Sequence, residues 1–138
     1  MKAVRIHEHG GIEVLVWEEI SDPVIKPDQA LVQIKAAAIN HLDIWVRRGI
    51  PGISLPMILG SDAAGIIKKV GQDISDFTIG DEVVINPLIF CGECEACNNG
   101  RENECPFIGI FGESTDGTNC EFIAVNERNL RKKPNNID

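Results

Sequence analysis

Apolar residues alternate with polar ones at Val4 and Ile6, at Val14 and Val16, and along Ala30, Val32, Ile34 and Ala36. A period of two puts each set on one face of an extended segment, so these runs predict short strands. Further runs follow at Ala63 to Val70, Glu82 to Ile85 and Cys120 to Val125, bounded by Gly60, Gly71, Gly80-Asp81 and Asp116-Gly117. Glycine and aspartate in such clusters mark turns. The spacing predicts one good helix, Asn40 to Arg48, because Asn40 can cap free backbone amides and Gly49-Ile50-Pro51 stops the next turn. Many short strands separated by turns favour a mostly β barrel or sandwich over a βαβ sheet. There is no internal repeat or low-complexity tract. The polar, proline-containing end, Arg131 to Asp138, reads as a linker or the entrance to a following element.

Composition narrows the class. A chain of 138 residues is about one domain long, and 43% hydrophobic with 25% charged residues is ordinary for a domain with one core. A formal charge of −8 repels phosphate backbones and anionic lipid faces, so nucleic acid and membrane partners are not expected. The start, MKAVRIHEHGG, turns polar by His7, and nowhere are there about eighteen consecutive apolar residues, so a soluble, cytoplasmic protein is expected.

Four of the five cysteines lie between Cys91 and Cys105 in the form C-x2-C-x2-C-x7-C, at Cys91, Cys94, Cys97 and Cys105. Two-residue gaps let neighbouring thiolates converge on one ion from a tight loop, and the longer excursion returns the fourth. Four thiolates form a closed tetrahedral set, which suits a structural zinc and leaves no open position for catalysis. The rival is an iron–sulfur cluster, because Cys105-Pro106 completes a ferredoxin-like run; the seven-residue gap and the lack of a second cysteine set weigh against it. Cys120 stands apart and reads as a buried small hydrophobe, and His7 and His9 as surface or strand positions.

Several segments together carry a family resemblance: Ala37-Ala38-Ile39-Asn40-His41-Leu42-Asp43, Gly60-Ser61-Asp62-Ala63-Ala64-Gly65 with Gly71 six residues on, Gly80-Asp81-Glu82-Val83, Asn86-Pro87 and the cysteine lobe. On these the chain resembles the zinc-containing branch of the medium-chain alcohol dehydrogenase and quinone oxidoreductase superfamily, over nearly all its length. The resemblance implies that residues 1–138 form a GroES-like catalytic domain, a partly open β-barrel with short helices and a four-cysteine zinc lobe. Gly60, Gly65 and Gly71 are expected to allow tight backbone geometry.

Alcohol dehydrogenases of this family hold a catalytic zinc with a cysteine and a histidine where this chain has Asn40 and Ser61, and keep a hydroxyl where it has Leu42. Neither an amide nor a serine hydroxyl is a usual zinc ligand, so the resemblance implies a retained structural zinc and no catalytic one. The zinc-free active site is similar to that of the quinone oxidoreductases, which reduce quinones, enals or enones with a nicotinamide cofactor, NAD or NADP, although most of those lack the cysteine lobe. Asn40, Asp43, Ser61 and Asp62 are the catalytic candidates. The Asn40 amide could stabilise negative charge developing on a carbonyl oxygen, or simply cap the helix. Asp43 and Asp62 could orient Asn40, Ser61 or a water, and a local structural role is preferred for both. His41 matches a position that contacts the cofactor pyrophosphate. Ile44 and Trp45 could line a substrate pocket, although an aromatic in a short helix is more often core.

No G-x-G-x-x-G occurs, so the resemblance implies a parent that continues past Asp138 into a Rossmann domain, with the fragment alone inactive and the full enzyme a homo-oligomer. Two alternatives stay open: a zinc alcohol dehydrogenase with unusual metal ligands, and a stand-alone metal-stabilised binding module or iron–sulfur electron carrier.

Overall fold

The structure, a computed structural model, describes residues 1–137. Ten strands dominate it: β1 (Lys2–Ile6), β2 (Val16–Glu19), β3 (Gln29–Ala38), β4 (Met57–Ile58), β5 (Asp62–Val70), β6 (Glu82–Ile85), β7 (Leu88–Ile89), β8 (Gly109–Ile110), β9 (Phe122–Asn126) and β10 (Leu130–Lys132). The helices are short, α1 (His41–Arg48) and α2 (Glu95–Asn98), with 3-10 turns at Ile12–Val14, Glu102–Glu104 and Glu127–Asn129.

The main sheet is antiparallel throughout, in the order β10-β6-β5-β3-β9. Its centre is β3 against β5, two strands long enough to bend around a core. Register shifts at Leu31/Val32 and Ile34/Ala36 supply that bend, since an extra residue on one strand raises the local twist. Close approach is set by Gly65, where a Cβ would fall 2.2 Å from the Gln33 carbonyl oxygen. A second sheet, β2-β1-β4, joins the first through Val4 N–H donating to Asn119 O at 2.8 Å and Ile34 N–H donating to Glu121 O at 3.0 Å. The result is the mostly β, partly open barrel expected. No helix among the described residues is long and apolar enough to cross a membrane.

Alternation becomes burial along β5, where Ala63, Gly65 and Ile67 face inward while Asp62, Ala64 and Ile66 are only half-buried. Inside lie Val32, Ile67, Val83, Ile85, Phe111, Ile123, Val125 and Leu130. Burying such side chains stabilises a fold by about 1.5–3 kcal/mol each before the entropy of ordering them is subtracted. A smaller cluster of Ile6, Val46, Met57 and Leu59 docks α1 against β1 and β4.

The structure differs from the pattern reading in four places. Val14 belongs to a 3-10 turn, so β2 starts at Val16, and the strand expected from Cys120 starts at Phe122. Arg131 and Lys132, expected in a linker, lie in β10, because Leu130 is buried at 1% exposure and pairs with Ile85. Their charges sit on an edge strand, where lysine and arginine discourage further pairing. Asp138, the last residue of that tail, lies outside the described residues. Trp45 is not core but 55% exposed, because α1 turns Asp43, Val46 and Arg47 inward.

Candidate functional site

The first candidate site lies where α1 starts beside β5. Asn40 is the N-cap residue of α1, with extended backbone. Its N–H donates to Asp43 Oδ2 at 2.6 Å, and its carbonyl accepts from Asp43 N–H at 3.2 Å. An acid at the third helical position is the reciprocal half of a capping box, and it also sits well with the helix dipole. The other carboxylate oxygen of Asp43, Oδ1, accepts the buried N–H of Gly60 at 2.8 Å. One buried carboxylate therefore ties the helix start to the segment that leads into β5. That segment turns at Gly60, whose φ of +97° is the left-handed region that other residues rarely adopt.

Because the two segments are tied, the Asn40 side chain faces Ser61 and Asp62. Its Nδ2 donates to Asp62 Oδ2 in a very short bond and to Ser61 Oγ at 3.4 Å. Ser61 is buried, while Asn40 and Asp62 are half-buried. Three of the four catalytic candidates thus meet in one hydrogen-bonded group, and Asp43 holds it from below. The Asp62 carboxylate, by taking one amide proton, fixes the amide's orientation and aims the second Nδ2 proton at Ser61 Oγ, the longer contact of the two.

His41 is exposed at the first helical position and packs its ring against Trp45, centroids 5.4 Å apart at 53°. It is not hydrogen-bonded to Asn40, Ser61 or Asp62. An apolar cavity of about 500 Å³ lies close by, lined by Leu15, Trp17, Ile34, Ile44, Leu59 and the flank of Asp43. Neither Asn40, Ser61 nor Asp62 lines it, so this cavity and the polar group are separate features. Ile44 faces the cavity, whereas Trp45 borders a different hollow with Arg48, Ile50 and Pro51.

The second site is the cysteine lobe between β7 and β8. The Sγ atoms of Cys91, Cys94, Cys97 and Cys105 all lie within 4.8 Å of one another. The separations are 3.4 Å for Cys94–Cys97, 3.6 Å for Cys105–Cys91 and 3.9 Å for Cys91–Cys97. Tetrahedral bonds of about 2.3 Å from zinc to sulfur place thiolates about 3.8 Å apart, so the donor set fits that ion. Backbone amides already point at the sulfurs: Cys94 N–H to Cys91 Sγ at 3.4 Å, Cys97 N–H to Cys94 Sγ at 3.5 Å, and Cys91 and Phe107 N–H to Cys105 Sγ at 3.4 Å each. Amides of Glu93 and Cys94 draw the Cys91 thiol down to about 6, while desolvation pushes Cys97 up to about 12. Among the described residues this is the one group of three or more His, Cys, Asp or Glu arranged to share a metal.

The remaining candidates keep plain roles. His7 Nε2 meets Glu18 at 2.9 Å, His9 Nδ1 meets the Val46 carbonyl oxygen at 3.0 Å, and both side chains are exposed. Cys120, half-buried, donates to the Phe122 carbonyl at 3.2 Å. Burial first, and the Asp116 charge second, push its thiol up to about 12. Two contributors escaped the pattern reading, the Asp43–Gly60 tie and Arg128, which donates to the Cys91 carbonyl. Both are contacts between distant chain positions that no local motif announces.

Comparison with known proteins agrees with this geometry. The family model described as "Alcohol dehydrogenase GroES-like domain" matches residues 26–135. An alcohol dehydrogenase of Schizosaccharomyces pombe is 33% identical over 141 residues, covering 98% of this chain and 39% of the relative. A crotonyl-CoA carboxylase/reductase of Cereibacter sphaeroides is 34% identical over 143 residues, covering 98% and 33%. A crystal structure of an NAD-dependent alcohol dehydrogenase superposes with a TM-score of 0.96 at 44% identity, covering 100% of this chain and 41% of that one. The chain spans between a third and about two-fifths of the length of these proteins.

Proposed function

The chain belongs to the alcohol dehydrogenase GroES-like domain family of the medium-chain dehydrogenase/reductase superfamily, and from that premise we propose that it is the catalytic domain of an NAD(P)-dependent oxidoreductase. In this reading the substrate is a quinone or conjugated carbonyl, and metal is held by the four cysteines alone. The supporting observation is the Asn40–Ser61–Asp62 group, in which the Asn40 amide is bonded to a carboxylate and a hydroxyl. An amide nitrogen and a serine hydroxyl do not fit a catalytic zinc, which leaves the Asp62 carboxylate as the one usual ligand type in the group.

A bound nicotinamide supplies the hydride. The chain's own residues then have three tasks. Asp62 fixes the Asn40 amide, and the Nδ2 proton that otherwise reaches Ser61 Oγ at 3.4 Å turns to the substrate oxygen. That bond strengthens as negative charge develops, which is the condition for lowering a barrier rather than merely binding. Asp43 keeps Asn40 at the helix start, and the exposed His41 offers a ring N–H to a cofactor phosphate. The cysteines have a separate task, holding zinc that orders the lobe, as the fit of their spacing supports. One relative, the 34% identical crotonyl-CoA carboxylase/reductase, is named for a conjugated thioester, whereas the solved NAD-dependent alcohol dehydrogenase is 44% identical.

The second reading, a zinc alcohol dehydrogenase, is favoured by the names of other relatives. It requires Asp62 to take a metal beside the Asn40 amide and the Ser61 hydroxyl. Assay of the whole protein toward an enone and toward a primary alcohol, each with and without chelator, separates the two. Enone reduction that survives chelation supports the proposal; alcohol oxidation abolished by chelator replaces it with the second reading.

A further inference from the structure

We infer that Arg128, which ligates nothing itself, sets how tightly the four-cysteine site retains its metal by fixing and polarising the Cys91–Gly92 peptide. The inference rests on the reading that those cysteines hold zinc.

Arg128 sits in the 3-10 turn between β9 and β10, on the barrel and not on the lobe. Its Nη1 reaches across to donate to the Cys91 carbonyl in a very short bond. The guanidinium is held from behind, because Nε donates to Asn126 Oδ1 at 2.9 Å and Asn126 Nδ2 donates to Asp28 at 2.5 Å. A planar fork already held at Nε loses little freedom when Nη1 makes a second contact, which a lysine could not reproduce.

The acceptor peptide is unusual on its other side. Gly92 turns its N–H toward Cys97 Sγ, where it favours the thiolate. One peptide unit thus carries a guanidinium on its C=O and a ligand sulfur on its N–H. A cation on the carbonyl polarises the unit and strengthens the attraction of its N–H for a thiolate. Gly92 also makes room for the arrangement: its φ is +79°, and a Cβ there would fall 1.9 Å from Arg128 Nη1.

Charge explains why the barrel must supply a cation. Zinc with four thiolates carries a net charge of about −2. Between Cys91 and Cys105 the lobe adds Glu93, Glu95, Glu102 and Glu104 against Arg101, whose Nε is taken by Glu104 at 3.3 Å. Arg128 therefore meets an anionic lobe at the peptide that contributes both a ligand residue and a sulfur-directed N–H. Groups that orient ligands in this way typically change metal affinity about 10–100-fold when removed.

The test compares zinc-loaded whole protein with Arg128→Ala and Arg128→Lys. Zinc content is measured first, then the rate of zinc transfer to excess chromogenic chelator, then the sulfur-to-metal charge-transfer band of the cobalt-exchanged form. Expected are zinc in all three, transfer from Arg128→Ala about ten-fold or more faster than from wild type, Arg128→Lys in between, and a displaced cobalt band in Arg128→Ala. Arg128→Lys keeps a cation on the barrel, so it decides the question if the alanine variant fails to fold. Transfer rates within about two-fold of wild type, with an unmoved cobalt band, overturn the inference and leave the zinc reading intact. Wild-type protein that binds no zinc overturns both.

Discussion

Replacing Asp43 with alanine is expected to destabilise the fold by about 3–4 kcal/mol. The carboxylate is 6% exposed and accepts two backbone N–H groups, Asn40 at 2.6 Å and Gly60 at 2.8 Å. Asn40 is half-buried, so water can replace that bond, and the loss is close to that of a helix cap, about 1 kcal/mol. Gly60 is buried, so its N–H is orphaned, and an unmade bond to a buried group that was charge-assisted costs about 2–3 kcal/mol. Asp43→Asn keeps one acceptor and sets an NH2 against the other N–H, so at least half the loss is expected there. For a domain of this size the alanine variant should melt about 10 °C or more below wild type. Urea unfolding followed by circular dichroism, with zinc at fixed concentration, measures the difference. A loss below about 1 kcal/mol would show that the carboxylate does not join α1 to β5, and the positioning of Asn40 would need another cause.

Other outcomes follow from the same structure. Ile67→Ala, at a fully buried position in the main core, should lose about 2–5 kcal/mol in the same unfolding assay, and a loss under 1 kcal/mol would mean the site collapses around the void. In the whole protein Asn40→Ala should lower kcat roughly 100-fold, while Asp62→Asn, which weakens only the orientation of Asn40, should lower it roughly ten-fold with KM little changed. Equal effects would place the chemistry on Asp62 instead. The Cys120 thiol is pushed from 9.0 up to about 12, so the folded state holds its proton longer than the unfolded chain. Its stabilising contribution is complete below pH 9 and is lost as pH rises from 9 toward 12. Cys120→Ala should flatten stability over that window, and alkylation at pH 8 should spare Cys120 in folded protein.

The strands of the main sheet were legible because each buries one face, so a period of two survives in β3, β5, β6 and β9. The two-residue strands β4, β7 and β8 are too short to show any period, and β10 was hidden because one buried leucine followed by two charges resembles a polar tail. The cysteine lobe was legible from spacing alone, since ligand geometry constrains residues close in sequence. Around Asn40 the sequence showed the residue types but not their wiring. The buried face of α1 carries Asp43 and Arg47, two charges that a hydrophobic pattern assigns to solvent, and this misplaced Trp45. The Asp43–Gly60 and Arg128–Cys91 bonds join positions 17 and 37 residues apart, which only the folded chain brings together.

The most direct test of the account is the metal content of purified protein and of its Cys94→Ser variant, read together with the visible spectrum. The account predicts about one colourless zinc per chain in the wild type, lost or strongly reduced in Cys94→Ser, because the ion sits among four thiolates and nowhere near Asn40. A second tightly bound zinc that survives in the variant, or iron with visible charge-transfer absorption, would contradict it.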